Sequence, residues 1–336
     1  MYITGKQVNG GGWDQIEKLH LYRNDILVKS ILVKSITPTI TDGVNRTILF
    51  DIANDPIFVP KDGAVALFFK ADTPELNYEL NGMGPGLAAS FEGIQLAINA
   101  NTDVTAKGAQ SGTTLVDADK SVVGAAGNRM YLVRGVPIFR LNETGGTIPS
   151  GTTTQVLHSF AVSADSAVDV GLGKVSYQIS GDGVTVENYK LYTGSTWVGF
   201  LARGSDISPA GFGKLNIGFD SRSDAIISAG TTKTFSLKGD LICSSATGCS
   251  SPTGGGLLVV RFLGDLAPAA SAPLSYMDVY NSAEGDIVWT DFWRTPTLEF
   301  SSSTSTTTEQ WLNSYLIKDI SGGNLGSTSS GAVWAK

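Results

Sequence analysis

The chain has 336 residues, of which 40 are glycine and only 16% are charged, well under the usual ~25%. Its formal net charge is −7 and no basic stripe interrupts that acidity, which excludes a nucleic-acid partner. No stretch reaches the ~18 apolar residues of a membrane-spanning helix, so no membrane span is expected.

The N-terminal segment, residues 1–13, lacks the charged-then-apolar pattern of an intact signal peptide, so an exported protein would be a processed form or a fragment. From there the strand signals follow one another: TILFDI at 47–52, AVALFFK at 64–70 and IQLAIN at 94–99. Further runs lie at 156–162, 174–180, 184–191, 214–219, 234–238, 257–262 and 286–289. Within 156–162, Val156, His158, Phe160 and Val162 are expected to share one face. Glycine, proline and serine punctuators separate the runs at sandwich-like spacing. One helical turn is predicted, within TTTEQWLNSYL at 306–316, where a threonine cap precedes Glu309.

The chain repeats itself. EKLHLY at 17–22 matches ENYKLY at 187–192, and VPKDGAVALFFKAD at 59–72 matches ISAGTTKTFSLKGD at 227–240. Gly-led apolar strands, Gly93–Ile98 and Gly256–Arg261, follow both. Shared order of this kind indicates two copies of one domain. The fold class expected is all-β: tandem immunoglobulin-like β-sandwich domains, the first incomplete or complemented. Residues 1–120 form the first sandwich, 121–128 a linker, 129–320 the complete second sandwich and 321–336 a Gly/Ser-rich tail. Copy two has residues 129–186 ahead of its ENYKLY motif, whereas copy one has sixteen residues ahead of EKLHLY. Copy one therefore lacks sequence for its opening strands and is expected to expose strand edges and part of its core.

Three stretches carry a resemblance: 136–170 with its FAVSAD strand, DIVWTDF at 286–292, and STSTTTEQWLNSYL at 303–316. Together they resemble the immunoglobulin-like repeats of large surface proteins of ultrasmall candidate-phylum bacteria. The resemblance covers 129–320 and the later half of copy one. It implies an exported sandwich protein at the cell surface and no catalytic residues.

Candidate chemistry is sparse. His20 and His158 alternate with strand positions, and neither sits in a nucleophile motif. A Ser-His-Asp site is not readable from sequence, because its members meet only in space. Asp117 and Asp119, and Asp220 and Asp224, are spaced as in a Ca²⁺ loop but lack the central glycine and distal glutamate of the complete pattern. No cofactor is expected; a solvated turn is the leading reading of both carboxylate pairs, with Ca²⁺ as the alternative. Cys243 and Cys249 share the loop CSSATGC and are expected to form a small surface disulfide in an oxidising compartment. Trp13, Trp197 and Trp334 lie in Gly- or Ser-rich surroundings suited to exposure, where an indole stacks on a sugar or fills a neighbour's pocket.

These features predict a non-enzymatic, extracellular structural protein that self-assembles into a filament or surface-layer lattice. Its partner is further copies of itself, joined by strand donation through the N-terminal segment (Tyr2, Ile3, Val8) or the C-terminal one (Val333, Trp334). The competing expectation is an adhesin or glycan-binding surface module.

Overall fold

The computed structural model describes residues 1–8, 13, 16–33, 39–40, 46–73, 93–121, 125–142, 145–149, 151–201, 205–219, 222–242, 256–265, 285–292, 311–317, 320 and 331–335. These divide into two compact units, Met1–Val133 and Arg134–Lys336. The described residues are all-β apart from one four-residue helical turn, Arg222–Ala225, and short 3₁₀ turns.

The first unit contains β1 (Tyr2–Val8), β2 (Lys18–Arg23), β3 (Ile26–Leu32), β4 (Thr39–Ile40), β5 (Arg46–Leu49), β6 (Leu67–Asp72), β7 (Gly93–Ile98) and β8 (Ala125–Tyr131). One sheet has the order β4-β5-β1-β7-β8 and the other β3-β2-β6. Alternation drives the two sheets together. Leu19 and Leu21 of β2 are buried against Ile3, Ile48, Phe50, Ile94 and Leu96, while Lys18 and His20 face away. Full burial of each such side chain contributes roughly 1.5–3 kcal/mol. Asn24 and Asp25, with φ of 46° and 66°, make the two-residue turn between β2 and β3, the left-handed pair that matches strand twist. The glycine that leads β7 has a steric reason: a Cβ on Gly93 would lie 1.9 Å from the Met130 carbonyl oxygen of β8.

The second unit contains β9 (Ile138–Asn142), β10 (Gly146–Thr147), β11 (Thr152–Ser163), β12 (Val170–Asp182), β13 (Thr185–Thr193), β14 (Thr196–Leu201), β15 (Asp206–Ile207) and β16 (Gly213–Phe219). It continues with β17 (Ile226–Ile227), β18 (Thr232–Ile242), β19 (Leu257–Phe262), β20 (Val288–Thr290), β21 (Leu312–Asn313) and β22 (Gly331–Ala335). Its main path runs β10-β22-β19-β12-β16-β14-β13-β18-β11-β9. The path folds over on itself, because strands distant along it meet face to face. Phe160 of β11 lies 4.9 Å, centroid to centroid, from Phe262 of β19, and His158 of β11 lies 5.5 Å from Tyr177 of β12. Aromatic pairs at these separations add roughly 0.5–1.5 kcal/mol beyond their burial.

The repeat read from sequence is present strand by strand. β1 through β8 correspond in order to β12, β13, β14, β15, β16, β18, β19 and β22. The neighbours correspond too: β1 lies between β5 and β7 as β12 lies between β16 and β19, and β2 lies between β3 and β6 as β13 lies between β14 and β18. A side-chain contact repeats with them. Lys70 Nζ sits 4.6 Å over the Tyr22 ring, and Lys238 Nζ sits 4.4 Å over Tyr192.

Three expectations shift. Residues 125–131, expected as linker and start of the second sandwich, are β8 of the first, paired with β7; the division falls after Val133. Residues 331–335, expected in a tail, are β22, paired antiparallel with β19 and parallel with β10. The helical turn expected within 306–316 is, among the described residues, a 3₁₀ turn at Ser314–Leu316, whose cap is Asn313 and not a threonine. Residues 301–310 lie outside the described residues.

Candidate assembly edge and buried polar sites

The difference between the copies defines the candidate site. In unit two, β18 pairs β13 on one side and β11 on the other, eleven residue pairs running from Thr152↔Ile242 to Ser163↔Thr232. β9 then pairs β11. In unit one β6 pairs β2, and among the described residues nothing pairs its other edge. Among the described residues no strand of unit one corresponds to β9 or β11. The inward face of β6 is correspondingly open. Leu67 is 38% exposed and Phe69 half-buried, whereas Phe235 and Leu237, at the matching positions of β18, are 0% exposed. Phe58, Val59 and Phe68 are also more than half or half exposed nearby in sequence. An unpaired edge beside exposed apolar side chains is a template for a further strand.

The expected donors have partners of their own. Tyr2–Val8 is an interior strand of unit one, between β5 and β7, with Ile3 buried and Tyr2 exposed. Val333 is exposed on β22, and Trp334 pairs Leu258 along the backbone. Trp13 corrects the expectation of exposure: it is 3% exposed. Its indole lies over Gly5, where a Cβ would come within 2.7 Å of Cε2. Gly5, having no Cβ, is what makes room for the ring. Trp197 is exposed as expected, with Lys190 Nζ 5.9 Å from its ring centroid.

Of the calcium candidates, Asp117 and Asp119 lie in an exposed 3₁₀ turn, and Asp117 pairs with Lys120 at 2.6 Å. Asp224 is partly buried beside the turn before β17, with Lys233 reaching its carbonyl oxygen at 3.4 Å. Asp220 lies outside the described residues. Among the described residues no cluster of three or more His, Cys, Asp or Glu has metal-holding geometry. Cys243 and Cys249 also lie outside the described residues. For them we expect intact mass to rise by the two hydrogens of reduction, and a Cys→Ser pair to cost at most ~2 kcal/mol, since the ring is short. Alkylation of both thiols without reductant would contradict the bond.

His20 has two polar neighbours that sequence did not show. Its Nδ1 is 2.8 Å from Ser30 Oγ and its Nε2 is 3.2 Å from Asp72 Oδ2. The three sit on the outward face of the β3-β2-β6 sheet, with Ser30 and Asp72 exposed. A hydrolytic triad also needs preorganised donors for the oxyanion and a water-poor setting. With Ser30 and Asp72 exposed to solvent, the row is a set of cross-strand pairs on the sheet surface.

Unit two holds two buried polar groups of a different kind. His158 is fully buried, stacked on Phe262 at 5.8 Å and edge-on to Tyr177. Neither ring nitrogen, nor the Tyr177 hydroxyl, has a hydrogen-bond partner among the described residues. Burial pushes the His158 pKa down to about 4 and raises that of the Tyr177 phenol. A bulge between Val156 and His158 turns Leu157 and His158 inward in succession and takes Val156 off the face it was expected to share.

On the other face of β12 lies a polar clasp. Asp265, in the segment after β19, accepts from Asp286 N at 2.6 Å, Ile287 N at 3.4 Å, Ser314 N at 2.9 Å and Ser314 Oγ at 2.7 Å. One carboxylate thus ties three segments together. Lys174, 2% exposed, lies opposite Val288 in register, and Val288 lies opposite Asn313. Its pKa is lowered to about 8, first by burial and then by the Lys214 charge, with Asp265 and Asp286 opposing. Lys214 pairs with Asp286 at 2.6 Å. The Asp265 carboxylate thus serves as a structural acceptor.

No protein-family model matches the chain, and no curated protein matches it. Solved structures similar to it include the full-length major pilin RrgB from Streptococcus pneumoniae, with 10% identity and a TM-score of 0.24 over 77% of this chain. The chain spans 41% of that pilin's length. The C-terminal domain of the AgI/II polypeptide BspA from Streptococcus agalactiae is similar at 8% identity and a TM-score of 0.23, over 78% of this chain and 79% of that one. Likeness at these scores carries no argument about function, and the resemblance to surface repeats of ultrasmall bacteria finds no support in it. No helix among the described residues is long and apolar enough to cross a membrane.

Proposed function

We propose that the chain is a non-catalytic structural subunit of an extracellular bacterial surface assembly, a filament or surface-layer lattice built from copies of itself. One observation carries this reading: the same eight-strand order occurs twice, and among the described residues the β6 edge of one copy is unpaired where the matching β18 edge of the other is covered by β11. A module repeated in series suits an extended assembly, and an uncovered edge gives such modules a way to join. Electron microscopy of the purified protein tests it. Fibres or an ordered lattice are expected; isolated particles at all concentrations and ionic strengths would overturn it. Trp197, exposed beside Lys190, favours a second reading as a glycan-binding surface module. Retention of the protein on a glycan array, lost in Trp197→Ala, would select that reading. The non-catalytic part is checked separately, by a screen on ester, peptide and glycan substrates. Turnover lost in His20→Ala without loss of folding would refute it.

A further inference from the structure

We infer that the edge of β6 left unpaired among the described residues is a strand-acceptor site, and that its occupant is an extended segment of the same chemistry as β11, running antiparallel to β6. The inference rests on the reading of the chain as an assembly subunit and names what that assembly would place at this edge.

The occupant is specified by the second copy, which shows the same edge filled. There β11 lies antiparallel to β18, with Phe160 opposite Phe235 and His158 opposite Leu237. Positions 235 and 237 correspond to Leu67 and Phe69 in the repeat. An incoming strand in the equivalent register would therefore set alternate side chains against Leu67 and Phe69. Both stand more exposed than their matches, Phe235 and Leu237. Phe69 already packs edge-on against Phe50 at 5.5 Å, so the slot opens directly onto the core of unit one. The occupant's chemistry follows: backbone able to complete a ladder, apolar residues at every second position on one face, and small or hydroxylic residues on the other. The segment TTTQVLHSFAVS at 152–163 has this pattern. Period two gives the site a parity. Leu67 and Phe69 face the occupant's apolar side chains, and Phe68, between them, faces away.

The test uses the full chain and a labelled synthetic peptide of residues 150–163. Saturable binding is expected, with amide exchange at residues 67–72 slowed at least ~10-fold on saturation. Leu67→Asp should weaken binding at least ~10-fold, because it sets a charge against apolar side chains. Phe68→Asp, on the opposite face, should leave binding unchanged. Circular dichroism and the exchange of β1 and β7 amides verify that both variants keep unit one folded. Absence of binding, or equal loss in both variants, overturns the inference. So does protection of residues 67–72 that rises with chain concentration and excludes the peptide, since a second copy would then be pairing edge to edge. Fibres or a lattice in the microscope from a chain that ignores the peptide would leave the assembly reading standing and remove this one.

Discussion

Unit two should lose about 3 kcal/mol of stability between pH 7 and pH 4 through one side chain, and His158→Phe should abolish that loss. The sign follows from the direction of the shift. In the unfolded chain His158 titrates near 6.5; in the fold its pKa is about 4. Between those values the unfolded state binds the proton and the folded state does not. Stability from this group is fully present above about pH 6.5 and is lost progressively as pH falls towards 4. The size comes from the separation of the two pKa values at ~1.4 kcal/mol per unit. The groups that face the ring, Phe262 and Tyr177, offer the imidazolium no counter-charge. Urea unfolding of parent and variant at pH 7.0, 5.5 and 4.5 provides the measurement. The quantity compared is the change with pH within each protein, so any packing cost of the larger ring cancels. Parallel curves for the two proteins would refute the assignment.

The second large effect is expected at Asp265. Asp265→Ala removes the acceptor for the half-buried backbone N–H of Asp286 and for the buried N–H groups of Ile287 and Ser314 and the Ser314 hydroxyl. Leaving such donors unpaired, and leaving Lys174 without a carboxylate that favours its charge, should cost about 3–5 kcal/mol. Asp265→Asn keeps one acceptor oxygen and should cost roughly half as much. The damage should be local first: proteolysis should reach 285–292 and 311–317 before the β11–β18 ladder opens. A loss below ~1 kcal/mol would show that the clasp does not hold the segment.

Most of the fold was legible because alternation was strong where burial was one-sided. β11, β13, β18 and β19 read directly from the sequence, and the repeat was visible because the same side chains perform the same cross-strand contact in both copies. The elements that went unread have a physical reason for silence. β8, AAGNRMY, has no apolar alternation and joins its sheet beside Gly93, where close backbone approach replaces side-chain packing. β22 is five residues behind a Gly/Ser-rich run and looked like its continuation. The Val156 face failed because a bulge shifts register by one, and nothing in TTTQVLHSF marks which residue is extra. The Asp265 clasp was invisible because its partner Ser314 is 49 residues away. The unequal edge was legible in part, because only copy two carries strand-like runs ahead of its repeated motif, and among the described residues β6 is paired on one side while β18 is paired on both. The segments expected to donate to that edge, Tyr2–Val8 and Gly331–Ala335, are ladder strands of their own units within the chain.

The position of β1 bears on how unit one would carry tension. β1 is antiparallel to β7, and β7 is antiparallel to β8, so β1 and β8 run in the same direction in one sheet. The start of β1 and the end of β8 therefore lie at opposite ends of that sheet. A pull between them acts along the strands and loads the rungs together, in shear, instead of peeling them one after another. β10 and β22 of unit two also run in the same direction, there as directly paired strands. Survival under such a load is governed by the rate of unfolding and not by the equilibrium, so a chain of these modules can be strong along its length while any one of them is only modestly stable.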